Sequence, residues 1–173
     1  MMKRTLMLIM FIIGLLAMSV TCYAKITVED LNIGGIYYGQ PASEVVKKLG
    51  NPTRMQVTPP AGSAPVFKLG NSEVLVKYVW NKDIQLVWGV SILSGNGAST
   101  AAGIGIGSNY EDVIKAYGKA DYDSVLTHSG LQRYAVSYKI PNIEQGTGAS
   151  LDFAIGSDKK VIGISFGTYE YEG

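Results

Sequence analysis

The sequence predicts an α+β fold made of two tandem repeats, each a short helical segment packed on an antiparallel β-meander sheet. A stretch of 18 residues beginning at Gly35, GIYYGQPASEVVKKLGNP, reappears 68 positions later as GIGIGSNYEDVIKAYGKA. A second matching pair, VWGVSI from Val87 and VIGISF from Val161, lies 74 positions apart. Matching blocks in the same order, joined by segments of alternating apolar and polar residues, indicate two units of about 70 residues that each run from helix to strands.

The N-terminus has the organisation of a secretory signal peptide. Lys3 and Arg4 precede an apolar run over residues 6–17, which is short for a membrane span. Cys22 and Ala24 occupy positions −3 and −1 of a small-residue cleavage site, so we expect cleavage after Ala24. Two alternatives remain: an uncleaved anchor helix, and lipidation of Cys22, which would tether the protein to a membrane.

Removal of residues 1–24 leaves 149 residues, which we divide into repeat unit 1 (25–95) and repeat unit 2 (96–173). The remainder has 13 basic residues against 14 acidic ones, so nucleic-acid binding, and strong membrane binding without lipidation, are not expected. Cys22 is the only cysteine, and the folded part therefore has no internal disulfide. We expect an exported protein, periplasmic or extracellular, or anchored to a membrane as a lipoprotein.

Each matched block contains the start and end signals of a helix. In the first block Pro41 stands where a first helical residue would be, and in the second Ser108 precedes Glu111 at capping-box spacing. Gly50 and Gly118 then end the helices in left-handed geometry. Each helix carries a single apolar stripe, so it requires a sheet to pack on.

The glycine-rich start of the second block is not predicted to bind phosphate. Gly105 corresponds to Tyr37 in the first unit, where a bulky side chain would obstruct a phosphate. The third glycine of a dinucleotide-binding motif is also missing, and no Gly-Lys-Ser/Thr follows. No cofactor is therefore expected.

Alternation along the strands predicts which residues face the helices. In the matched strands we assign to the core one set from each unit: Trp88, Val90 and Ile92, and Ile162, Ile164 and Phe166. The Gly/Ser/Ala-rich stretch from Ser94 to Gly103 is predicted to be a flexible link between the units.

The helix segments resemble a known signature of small envelope domains. The matching residues are Gly39, Glu44-Val45 and Leu49-Gly50-Asn51-Pro52 in the first unit, and Gly107, Asp112-Val113 and Tyr117-Gly118 in the second, where Ala120 replaces the proline. The chain thus resembles outer-membrane assembly lipoproteins of the SmpA/OmlA type and the tandem domains of β-lactamase-inhibitory protein. This resemblance implies a helical segment on an antiparallel sheet, twice, and action by protein binding rather than by catalysis.

Few residues suggest chemistry. His128 is the only histidine, in a predicted loop, and no nucleophile elbow accompanies it. Asp121 and Asp123 lack the further carboxylates and the glycine of a calcium loop, and no His/Cys cluster is available for zinc. No catalytic, cofactor or metal site is therefore predicted.

Four strand aromatics are the candidate interface residues: Trp80, Tyr134, Tyr138 and Tyr169. For Trp80 and Tyr138 a position in the core is the alternative. The leading hypothesis is an exported, non-enzymatic module of the cell envelope that binds another envelope or secreted protein through its sheet face and loops. The alternatives are a secreted inhibitor of a hydrolase, such as a β-lactamase or protease, and a secreted hydrolase that uses His128.

Overall fold

The structure, a computed structural model, describes residues 25–58, 62–128, 131–144 and 146–170. The predicted signal peptide, with Cys22 and the cleavage site after Ala24, lies outside the described residues. Among the residues that are described, no helix is long and apolar enough to cross a membrane.

The fold is α+β, with a mainly antiparallel β architecture and two short helices, which confirms the predicted class. A 3-10 turn at Val28–Asp30 comes first. The elements then follow as β1 (Asn32–Ile33), β2 (Ile36–Tyr37), α1 (Ala42–Leu49), β3 (Arg54–Val57), β4 (Ser63–Leu69), β5 (Ser72–Asn81), β6 (Ile84–Ser94), α2 (Tyr110–Tyr117), β7 (Tyr122–His128), β8 (Leu131–Glu144), β9 (Thr147–Ile155) and β10 (Val161–Glu170).

Strands β3 to β10 form one eight-stranded sheet in the order β3-β4-β5-β6-β10-β9-β8-β7, while β1 and β2 form a separate ribbon. Every neighbouring pair in the large sheet is antiparallel. Two meanders of four strands therefore meet at the centre, where β6 pairs with β10, and β3 and β7 are the two edges. At this central seam Ser91 pairs with Ser165, and Gly89 with Gly167.

Both helices end at a glycine, as predicted, but not in the predicted left-handed helical geometry, because ψ is −163° at Gly50 and −153° at Gly118. Gly50 has φ +78° and Gly118 has φ +77°, and their N–H groups donate to the carbonyls of Val46 and Ile114 at 2.8 Å. A residue with a Cβ is strained at such a φ, so glycine is the natural choice for ending each helix.

Both helices begin one residue later than predicted. Pro41 precedes α1 with ψ 137°, and α2 begins at Tyr110 after Asn109 as its cap. The carboxylate of Asp112 accepts hydrogen bonds from the Asn109 backbone N at 3.2 Å and from its side-chain amide at 3.0 Å. Ser108 is not the cap because its hydroxyl is engaged by the preceding loop, accepting a bond from Gly105 N at 3.1 Å.

A β-bulge lies at the matching position in β6 and in β10. Trp88 in β6 has no pairing partner in β5, because the register shifts there. Ile162 in β10 likewise has no pairing partner in β9. The prediction that both face the core was wrong: Trp88 is partly exposed, and Ile162 is 45% exposed. Val87 and Val161 are buried instead, because the extra residue shifts the alternation of the strand.

The bulged segments are tied to the loop before each helix by the same backbone hydrogen bonds. In both places the backbone carbonyl of a valine accepts a hydrogen bond from a glycine N–H, and the N–H of the same valine donates to the carbonyl of the residue after that glycine. The bonds are Gly39 N to Val87 O (2.8 Å), Val87 N to Gln40 O (2.9 Å), Gly107 N to Val161 O (2.8 Å) and Val161 N to Ser108 O (2.9 Å). Each helix N-terminus is thereby fixed to the last strand of its meander.

One apolar cluster lies between the helices and the sheet. It contains Val45 of α1 and Val113 and Tyr117 of α2, together with strand residues on both sides of the central seam. The two helices therefore share one face of the sheet, which we call the core face.

The stretch predicted as a flexible link, Ser94 to Gly103, is instead built into the fold. Ala98 and Thr100 are buried. The hydroxyl of Ser72 accepts bonds from the N–H groups of Gly97 at 2.8 Å and Ala98 at 3.1 Å. The hydroxyl of Tyr117 donates to Thr100 Oγ1 at 2.7 Å, which fastens this segment to α2.

Candidate binding surfaces

The face of the sheet opposite the core face carries neither helix, and we call it the open face. Its central residues alternate with buried core residues along β6, β10, β9 and β8. They are Gly89 and Ser91, Gly163, Ser165 and Gly167, Ser150, Asp152 and Ala154, and Ala135, Ser137 and Lys139. Most of these side chains are small, Lys139 being the exception, so little side-chain bulk stands over the backbone of the central strands.

A single carboxylate lies in the middle of the open face. Asp152 is opposite Ser165 on one side and Ser137 on the other. Its oxygens accept hydrogen bonds from the hydroxyls of Ser137 at 2.6 Å and Ser150 at 2.7 Å. These bonds hold the charge in place and leave it partly exposed.

Lysine–aromatic contacts occur on two sides of this small-residue area. Lys139 Nζ lies 5.4 Å from the ring centroid of Tyr169, and Lys77 Nζ lies 5.9 Å from that of Trp88. The Tyr169 ring covers Gly148, where an added Cβ would lie 2.4 Å from the ring. These contacts give the open face a rim of amphipathic side chains around a polar centre.

The four aromatic residues predicted to form an interface differ in how exposed they are. Trp80 is 67% exposed and Tyr134 is 41% exposed, whereas Tyr169 is half-buried on the open face. Trp80 therefore does not take the alternative position in the core.

Tyr138 is a core residue, and its assignment as an interface residue was wrong. It is 2% exposed, its hydroxyl donates to the Gly118 carbonyl at 2.9 Å, and its ring meets that of Phe153 edge-on at 6.2 Å. Burial raises the pKa of its phenol well above the usual range. The side chain thus joins the end of α2 to the sheet, which an alternating strand pattern alone does not show.

The tip of the β5–β6 hairpin is an exposed apolar surface. Val79, Trp80 and Ile84 are all exposed there. A cavity of about 330 Å³ beside them is lined by residues of the tip and by Tyr38 and Glu144. Burial, followed by the nearby Glu144 carboxylate, raises the pKa of the Tyr38 phenol.

The acidic pair at the start of β7, Asp121 just before the strand and Asp123 within it, is engaged in protein contacts. Asp121 accepts a bond from the Lys139 backbone N at 2.7 Å, and Asp123 accepts one from the Tyr110 hydroxyl at 2.6 Å. The Asp123 hydrogen bond, more than burial, raises the pKa of Tyr110 to about 12. In the described part of the chain, no group of three or more His, Cys, Asp or Glu side chains is placed to hold a metal ion.

His128 ends β7, where its backbone pairs with Leu131. Its side chain lies outside the described residues, as do Ser129 and Gly130. The hydrolase hypothesis based on His128 therefore stays a prediction.

Sequence reasoning missed the Tyr110–Asp123 bond and the exposure of Trp88. Tyr110 and Asp123 are 13 positions apart, and only the packing of α2 on β7 and β8 brings them together. For Trp88 the sequence offers only the glycine that follows the matched position in each strand, Gly89 and Gly163, and a glycine in a strand does not by itself specify a bulge.

Comparisons with known proteins identify no family. No family model matches the chain, and no curated protein matches it. A DUF4309 family protein from Bacillus subtilis is similar over 78% of this chain and 83% of its own, with 16% identity and a TM-score of 0.45. A cysteine-rich secretory protein from Staphylococcus aureus is similar over 76% of this chain and 44% of its own, with 15% identity and a TM-score of 0.46. Likenesses this distant carry no information on function.

Proposed function

We propose that this protein is an exported, non-enzymatic module of the cell envelope that binds another envelope or secreted protein through the open face and its adjoining loops. The proposal includes two tandem units, 25–95 and 96–173, and export directed by the first 24 residues. The observation that carries it is the open face itself: both helices pack on the core face, and no described helix covers the other side.

Three features support a protein as the ligand. The open face spans several strands, so it offers the extent of a protein interface rather than the enclosure of a small-molecule pocket. Its aromatic rim residues, Tyr169 and Trp88, are of a kind enriched at interfaces, and its polar centre provides hydrogen-bonding groups. The resemblance of the helix motifs to envelope domains that act by binding proteins points the same way.

The paired hydrogen bonds at Val87 and Val161 support the tandem-unit part of the proposal. The same loop-to-bulge connection occurs at positions that the sequence alignment of the two blocks makes equivalent. Internal duplication explains this agreement more simply than independent origins of two identical connections.

The test places one large charged residue at the centre of the open face. Ser165→Arg should weaken partner capture at least tenfold, because an arginine would hold the partner away from the small-residue surface. The readout is in-cell crosslinking in the producing organism, followed by mass spectrometry of the attached protein. Ser43→Arg, on the exposed surface of α1, is the matched control and should leave capture unchanged. Equal capture by both variants would remove the open face from the interface.

The hairpin tip favours the second candidate function, a hydrolase inhibitor. Trp80 and Ile84 project from a narrow two-strand connection, the geometry that a loop needs to enter an enzyme cleft. Under this hypothesis the captured partner is a hydrolase that the protein inhibits stoichiometrically. Trp80→Ala would then abolish inhibition, while Ser165→Arg would have the smaller effect.

A further inference from the structure

We propose that the outer edge of β7 is a self-association site, at which a second copy of this chain adds its own β7 in antiparallel orientation. This inference is independent of the open-face proposal, because it concerns the sheet edge and the core face.

The two edges of the sheet differ in how open they are to another strand. β3 has four residues, follows Pro52 and carries Arg54, three features that discourage edge-to-edge pairing. β7 has seven residues, YDSVLTH, with no lysine, arginine, proline or glycine. In the described part of the chain its only neighbouring strand is β8. The backbone of β7 therefore offers the longer unprotected edge.

An apolar row of the core face runs out to this edge and stops there. Ile155 in β9 pairs with Tyr134 in β8, which pairs with Val125 in β7. The exposed fraction rises along the row, from 1% for Ile155 to 41% for Tyr134 and 43% for Val125. The inner end of the row is buried and its outer end is exposed, so a further strand on the β7 side would cover part of that outer end through cross-strand side-chain contacts.

Two features of β7 favour a second copy of this chain as the added strand: the apolar row that ends at Val125, and the lack of like charges that would face each other. If two β7 strands pair antiparallel about Val125, each Val125 meets its counterpart across a two-fold axis. The two rows then join into one apolar band across the dimer, as an isologous contact requires. In this register Asp123, the only acidic residue of the strand, is opposite Thr127 and not another carboxylate. No residue of β7 therefore opposes the self-pairing by charge.

The first measurement is the mass in solution of the native protein over roughly 1 µM to 1 mM, by analytical ultracentrifugation. A single strand pair buries little surface, so the dimer should form toward the upper end of this range. Val125→Lys should weaken it roughly tenfold or more, since two ammonium groups would face each other at the axis. Val57→Lys, on the exposed surface of the β3 edge, is the matched control and should dimerise normally.

A cysteine pair tests the register without adding a charge. In a Cys22→Ser background, Val125→Cys supplies the only thiol, and directly opposed strand residues come close enough for a disulfide. Mild oxidation should give a covalent dimer from Val125→Cys and not from Val57→Cys. A one-chain mass at every concentration would overturn the proposal. So would a dimer that Val57→Lys dissociates, or a disulfide-linked dimer that forms equally from Val125→Cys and Val57→Cys.

Discussion

At the scale of single residues, the aromatic side chains show what an alternating strand can and cannot reveal. Tyr138 and Trp80 both stand on strands of alternating pattern, yet one is buried under α2 and the other projects from a hairpin tip. The pattern assigns each residue to one face of a strand. Whether a given residue on that face is covered depends on where α2 ends. Tyr138 lies under the end of α2, because its hydroxyl donates a hydrogen bond to the carbonyl of Gly118, the residue that ends the helix.

The Tyr110–Asp123 hydrogen bond predicts a dependence of stability on alkaline pH. Because Asp123 raises the pKa of the folded Tyr110 phenol from 10.0 to about 12, the unfolded phenol ionises first as the pH rises. The bond therefore contributes fully below pH 10, and its contribution is lost between about pH 10 and 12. We expect the stability difference between the native protein and Tyr110→Phe to be greatest below pH 10 and to shrink above it, as measured by urea unfolding.

Two comparisons isolate this contribution. Tyr78, whose pKa burial also raises to about 12, titrates in both proteins and cancels in the difference. Asp123→Asn removes the anionic acceptor, so the stability contributed by the Tyr110 hydrogen bond should be lost at a lower pH. A difference between the native protein and Tyr110→Phe that stays constant up to pH 12 would mean that this bond does not perturb the phenol.

At the scale of elements, the repeated blocks located both helices to within one residue. The helix ends were predictable because a positive φ at Gly50 and Gly118 requires glycine, a demand visible in the sequence. The bulges were not, because an extra residue in a strand leaves no fixed residue type. Trp88 and Ile162, which lie at these bulges, were assigned to the wrong face for this reason.

The helix end provides a stability prediction with a matched control. Gly50→Ala should destabilise the protein by about 1–3 kcal/mol, because alanine is strained at φ +78° and ψ −163° although there is open space for its Cβ. Gly167→Ala makes the same chemical change in β10, where the added Cβ would lie 3.9 Å from the nearest atom and the backbone is not left-handed. Its effect should stay within about 0.5 kcal/mol in urea unfolding. Equal losses from both substitutions would attribute the effect to something other than backbone strain.

At the scale of the whole molecule, the two meanders share one sheet and one apolar cluster. Val90 and Phe166 pair across the central seam, and both belong to the cluster that contains residues of α1 and α2. The sequence predicted two units and a flexible link between them. The buried link segment and the shared cluster instead couple the halves, and such coupling depends on tertiary contacts that a repeat pattern does not encode.

This coupling can be tested because both tryptophans, Trp80 and Trp88, lie in the first meander. Phe153→Ala changes the second meander, where the ring packs against Tyr117 and Tyr138, and should cost about 3–5 kcal/mol. If the protein unfolds as one cooperative unit, the urea midpoint followed by tryptophan fluorescence should fall as far as the midpoint followed by far-UV circular dichroism. Tyr122→Ala, which removes an exposed aromatic from the same meander, should move both midpoints only slightly. A fluorescence midpoint unchanged by Phe153→Ala would mean that the first meander keeps its structure when the second is weakened, and that the shared core contributes little to its stability.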